Sequence, residues 1–191
     1  MKAKYSLFLL LIPFFAISQI SIQKTIFNQK LHNKIYIIQF GDCQILELIK
    51  DTNNKITGTL INAVWKLKKK EERGEIVTQK TILSNDTATN LFTDLEKNNF
   101  DKIPDCNCDG LDGTTTTFIT QTQDFINQAY YWELESDYYK KDEVQSVKVT
   151  DARKLTASIA KYVDVEVSFK TFVSTLPKGK YTYGMIIMEK K

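Results

Sequence analysis

Histidine is almost missing from this chain: His32 is the only one among 191 residues. Nucleophilic catalysis of the Ser-His-Asp or Cys-His kind needs an imidazole within reach of its nucleophile, and no motif surrounds this one, which sits between Leu31 and Asn33. Glycine and proline are sparse at seven and three. That excludes a collagen-like chain, and no glycine-rich phosphate loop or dinucleotide fingerprint is present. Cysteine is confined to Cys43, Cys106 and Cys108. A zinc site usually gathers four ligands, and the one-residue spacing of Cys106 and Cys108, with no second pair, does not match a common finger or ribbon. Internal repeats are absent, and low complexity is limited to the four threonines at 114–117.

Long apolar runs are missing too, with one exception at the start. Lys2 and Lys4 precede a nearly uninterrupted apolar stretch over 6–17, and Ala16, Ile17 and Ser18 supply a plausible cleavage site. The stretch falls short of the roughly 18 residues a membrane span needs. The expectation is therefore a cleaved signal peptide over 1–18 and a single domain over 19–191, exported to the periplasm or secreted. No cysteine follows the run to carry a lipid. Loss of Lys2 and Lys4 lowers the formal net charge from +3 to +1. A mature protein so near neutrality has no global reason to seek nucleic acid or an anionic membrane.

Export alters how the cysteines are read, because disulfides form and persist outside the cytoplasm. An odd number implies one pair and one leftover thiol. The expected bridge joins Cys43 to Cys106 or Cys108, closing a loop of about 65 residues worth roughly 4 kcal/mol in the chain-entropy model. Three unpaired thiols are one alternative, and a geometrically tight, easily reduced Cys106–Cys108 bridge is the other.

What the chain does have is strand patterning. Residues 35–40 are apolar and β-branched, Gly41 and Asp42 signal a turn, and 43–49 continue as a second strand. Over 56–67 the residues alternate, with Ile61, Ala63, Trp65 and Leu67 on one face. The charged run 68–74 reads as a hairpin tip before a strand over 75–83. Ser84, Asn85 and Asp86 offer capping oxygens to a helix whose Ala88, Leu91, Phe92 and Leu95 form one apolar stripe. Pro104 stops it from continuing. Segments 114–123 and 125–134 suit a second hairpin with Tyr130, Trp132 and Leu134 on one face. Residues 135–148 read as an exposed polar connection that includes Tyr138 and Tyr139. A helix capped by Thr150 and Asp151 follows, then an extended link at Val165 and Val167, a second helical piece through Phe169, Phe172, Val173 and Leu176, and a last interior strand over 180–189. Strands in hairpin-linked groups give an α+β fold: a largely antiparallel sheet of about six to seven strands with two to three helices packed on one face.

The stretch 101–113, DKIPDCNCDGLDG, concentrates two cysteines and four aspartates. Within it, 105–110 satisfies the opening of an EF-hand-type calcium loop, making Asp105, Asn107, Asp109 and the carbonyl of Leu111 candidate metal ligands. The twelfth position is Thr116 where a bidentate glutamate belongs, so at most weak calcium binding is expected, and no other cofactor. The competing reading has the aspartates capping and turning the chain between helix and strand. The export signal, the Cys-Asp-Gly loop and the Leu-Pro-Lys-Gly-Lys-Tyr approach to the last strand together resemble small exported bacterial proteins, a resemblance that implies no activity. With a core but no catalytic signature, the chain reads as an exported non-catalytic binding or interaction domain for an unknown protein or small ligand. A small hydrolase using carboxylates is the alternative, and a structural calcium-binding module the third reading.

Overall fold

The computed structural model describes residues 28–68, 72–108, 110, 113–137 and 143–191. The expected signal peptide, part of the first hairpin tip, Tyr138 and Tyr139 lie outside the described residues. Four strands come first: β1 (His32–Phe40), β2 (Gln44–Asp51), β3 (Ile56–Leu67) and β4 (Arg73–Ile82). Helix α1 (Asn85–Lys97) and a 3-10 turn (Phe100–Lys102) lead to β5 (Thr115–Thr122) and β6 (Ile126–Trp132). Helices α2 (Glu143–Ala160) and α3 (Val165–Thr175) precede β7 (Gly179–Tyr183) and β8 (Ile186–Lys190). The strands form one sheet in the order β6-β5-β1-β2-β3-β7-β8, with β4 also paired to β3. Every pairing is antiparallel. The α+β class therefore holds, with one strand more than the upper expectation.

Because side chains alternate along a strand, register divides this sheet into two faces. Tyr36 and Ile38 lie opposite Leu48 and Leu46, Leu46 lies opposite Leu60, and Phe118 lies opposite Ile38 on one side and Ala129 on the other. This face carries the helices. Ser84 caps α1 by accepting from the Thr87 N–H, as its oxygen-bearing side chain leads one to expect, and Ala88, Leu91, Phe92 and Leu95 are all buried. Ala152, Leu155 and Ile159 of α2 enter the same core. Aromatic rings run across it in a chain: Tyr36 lies 4.6 Å from Phe92 and 4.4 Å from Phe100, Phe100 lies 5.7 Å from Phe118, and Phe118 lies 5.7 Å from Tyr131. Burying each such side chain contributes about 1.5–3 kcal/mol.

Helix α3 docks on the same face through polar groups as well as through Phe172 against Val64 and Tyr181. Asn62 is fully buried; its Nδ2 donates to Ser168 Oγ at 3.0 Å while its Oδ1 accepts from Gln44 Nε2 at 2.8 Å. Gln44 also donates to the carbonyl of Val165 at 2.7 Å. The opposite face holds a separate cluster of Ile35, Ile37, Ile45, Ile61, Ala63 and Ile119, to which no helix among the described residues contributes a residue.

Four expectations need correction. The polar connection ends earlier than expected: α2 begins at Glu143, so Thr150 is an interior helical residue whose hydroxyl donates to the Ser146 carbonyl, and Val149 extends the buried stripe. Val165 and Val167 are helical rather than extended, because Asp164 caps α3 by accepting from the Val167 N–H at 2.9 Å. The last strand is a hairpin, β7 and β8, turned at Gly184 with φ +53, and β8 lies at the sheet's edge rather than inside it. Leu134 does not share a face with Tyr130 and Trp132: Glu133 takes φ +45, which breaks the alternation and delivers Leu134 to the helix-side core.

Candidate functional site

Strand β6 is the sheet's other edge, and the segment around the cysteines runs along it. Asn127 Nδ2 donates to the Ile103 carbonyl at 3.0 Å, the Tyr131 hydroxyl donates to the Pro104 carbonyl, and the Tyr130 N–H donates to Asp105 Oδ1 at 2.7 Å. Lys148 Nζ reaches in from α2 to the Asp105 carbonyl at 2.8 Å. An open edge presents unpaired N–H and C=O groups that template aggregation, and a covering loop removes that liability. Pro104, which has no N–H to pair, suits the start of such a cover. Burial raises the Tyr131 hydroxyl well above its ordinary value, with the carboxylates of Asp105 and Asp151 adding to the effect. It stays protonated as a donor.

The cysteine pairing is corrected too. Cys106 is bonded to Cys108, and Cys43 is free. Asn107 between them takes φ +54, a left-handed conformation that asparagine tolerates, and this folds the chain back so that the two Cα atoms stand 5.1 Å apart. Cys43 lies in the β1–β2 turn with its sulfur 3.9 Å from the Phe40 carbonyl. The two half-cystines are buried in the helix-side core, so the bridge plugs the seam between the covering loop and that core. Of the candidate calcium ligands, Asp105 has one carboxylate oxygen engaged by β6, Asn107 is exposed, and Asp109 and Leu111 lie outside the described residues. No group of three or more His, Cys, Asp or Glu residues suited to a metal gathers among the described residues.

Beside this loop, on the helix-free face, a cleft of about 390 Å³ opens. Register builds it: Gln39 lies opposite Thr117, which lies opposite Tyr130, and Thr115 lies opposite Trp132 in the next row. Gln128, two residues before Tyr130, completes the floor. Gln39 Nε2 donates to the Gly41 carbonyl at 3.0 Å, which fixes its orientation. Four of the chain's seven glycines form the rim: Gly41, Gly110, Gly113 and Gly184, from the β1–β2 turn, the loop and the β7–β8 turn. Gly110 is pressed against Trp132 so closely that a Cβ there would stand 2.0 Å from the indole Cε2. Only glycine lets the backbone approach that near. Asp42 and Cys108 stand at the margin.

Several other groupings of polar side chains are engaged within the fold. A hollow of about 380 Å³ at the end of α2 is lined mainly by apolar residues such as Phe40, Ile159 and Val163. Its Arg153 donates to the carbonyls of Leu134 and Ser136 at 2.8 and 2.6 Å, and its Glu135 accepts from Thr156. Lys34 pairs with Asp101 at 2.7 Å and Glu96 at 3.0 Å, tying β1 to α1 and the 3-10 turn. Burial works to lower the Lys34 ammonium, but hydrogen bonds to Asp101 and Glu96 outweigh it and the net shift is upward. His32 accepts from the Asn28 N–H at 3.1 Å, a local turn contact.

Comparison with protein-family models, with curated proteins and with solved structures finds no match to this chain. No helix among the described residues is long and apolar enough to cross a membrane.

Proposed function

We propose that this chain is an exported, non-catalytic binding domain that takes a small ligand in the cleft on the helix-free face. One observation carries the reading: Thr115, Thr117, Gln128 and Tyr130 line a single concavity, and their side chains make no hydrogen bond to the rest of the described structure. Other polar side chains of the fold serve architecture, Asn62 and Asp105 among them. Groups that converge on a hollow and serve none are the usual means of orienting a ligand. The hydrolase reading ranks second because Asp42 is the only carboxylate among the described lining residues, and glycoside hydrolysis uses two. The calcium reading ranks third, since 6–8 oxygens are needed and one of Asp105's is committed to β6.

Ligand-observed NMR with a mixed metabolite library tests the proposal. Binding that is lost in Gln128→Ala supports it, whereas hits indifferent to this substitution, or none, overturn it. Export is tested separately by intact mass, which should place the mature N-terminus at Gln19 or within a residue or two. Calorimetry should find no calcium site tighter than about millimolar.

A further inference from the structure

We infer that the ligand class of the cleft is a neutral saccharide, an inference that rests on reading the cleft as a ligand site. Charge is the first discriminator. No lysine or arginine is among the described lining residues, and Asp42 is the single carboxylate. Among these residues a phosphate, sulfate or carboxylate ligand would meet no counter-charge and one repulsion. A purely apolar ligand fails differently: it would strip water from Gln128, Thr115 and the Tyr130 hydroxyl without returning hydrogen bonds, at a cost of about 1–3 kcal/mol for each group left unpaired. A quaternary amine could use Asp42 and the aromatic faces but accepts no hydrogen bond, so the N–H and O–H donors of the floor would lose water without a replacement partner.

Sugar hydroxyls both donate and accept, and so do the floor groups. Each glutamine amide offers a carbonyl and an NH₂, and each threonine or tyrosine hydroxyl can act either way. The C–H face of a pyranose is apolar and flat, and it stacks on an aromatic ring that presents an apolar body with a polar tip. Tyr130 is 45% exposed, and Trp132 follows it on the same face of β6, about 7 Å along the strand. The glycine rim adds backbone groups that no Cβ screens. A volume of about 390 Å³ falls at the small end of the range of about 300–1,000 Å³ for ligand pockets. One or two sugar rings are the natural occupant.

The test is a glycan array carrying neutral and acidic glycans, probed with the oxidised protein, followed by amide NMR titration with the best-retained free glycan. Neutral glycans should be retained, and titration should move the Trp132 indole N–H and the side-chain amides of Gln39 and Gln128. Tyr130→Ala should weaken binding about tenfold, while Tyr130→Phe, which keeps the ring, should stay within about threefold. Circular dichroism of both variants should match that of the parent. Retention of acidic glycans only, of no glycan, or binding unchanged in Tyr130→Ala overturns the inference. If saccharides fail but metabolites from the library still require Gln128, the cleft is a ligand site of another class; if both fail, the binding reading falls as well.

Discussion

On the helix-covered face, Tyr36, Phe92, Phe100 and Phe118 are each fully buried and pack ring against ring, and Asn62 and Gln44 find partners there, although the Thr120 hydroxyl opposite Tyr36 does not. On the other face the same strands begin with isoleucines, Ile35 and Ile37 on β1, and end in Gln39 at the cleft. Strand β1 thus contributes a sealed core on one side and an unsealed end on the other. Sealing is a matter of paired polar groups as much as of apolar area. Where the helices lie, Ser168, Val165 and Lys148 supply partners to the sheet and to the edge loop; where no helix lies, Gln128 and Tyr130 are left to water.

Truncating an anchor on each face should separate the two most widely. Phe92→Ala removes a ring stacked on Tyr36 in a site with no route to solvent, and should cost about 3–5 kcal/mol in urea unfolding. Tyr130→Ala, at an exposed position, should stay within about 0.5 kcal/mol. Equal losses would mean that the cleft face is as much part of the core as the helix face. A second comparison lies within the covered face. Asn62→Ala leaves Gln44 and Ser168 facing a void, at about 1–3 kcal/mol for each buried group deprived of its partner. Hydrogen exchange should quicken in α3 while α1 stays protected, since α1 is anchored by its buried stripe of Ala88, Leu91, Phe92 and Leu95 and by Lys34–Glu96 and Tyr162–Asp94 contacts that do not involve Asn62; uniform loss would show that the two helices are not docked by different means. On the open face, Gly110→Ala puts a methyl group into the Trp132 ring. Overpacking of this kind costs about 1–3 kcal/mol at most when a loop can yield. Altered Trp132 fluorescence with unchanged exchange in α1 is the expected signature.

The same contrast explains what could be read from the sequence. Ala88, Leu91, Phe92 and Leu95 announce α1 because an apolar stripe at helical spacing has one use, and Ser84 caps it as its chemistry predicts. Strands β1 to β3 alternate or run apolar for equally local reasons. Helix α2 was legible only from Ala152 onward because its first turns are polar and β-branched; neighbouring turns and the burial of Val149 hold them. Asp164 three residues before Val167 was an available signal for α3, and Gly184 inside an alternating run was one for the last hairpin. The cleft had no such signal. It is assembled by cross-strand register among Gln39, Thr117 and Tyr130, which stand far apart in the chain. The cysteine loop was visible as a concentration of residues, but its use as a cover for β6 depends on where the sheet ends.

Cys43 is the smallest test, because it asks about one thiol on the boundary between the two faces. It lies in the turn that feeds Gln39 and Gly41 to the cleft and Gln44 to the α3 network. Burial pushes this thiol up to about 12, the Asp42 carboxylate adds to the shift, and the backbone N–H of Cys43 offsets part of it. The ordinary value is about 8.5, so the folded protein holds the proton more tightly than the unfolded chain. The sign follows: the contribution to stability is fully present below about pH 8.5 and is lost as pH rises toward about 12. At pH 8.5 iodoacetamide should therefore modify Cys43 far more slowly in the folded protein than in urea, because the thiolate is the nucleophile. Non-reducing peptide mapping should find Cys43 unlinked and Cys106 joined to Cys108. Cys43→Ser should then lack the loss of several kcal/mol that follows removal of a long-range disulfide. Alkylation at the unfolded rate would place Cys43 in open solvent and break the boundary the turn draws between sealed core and open cleft.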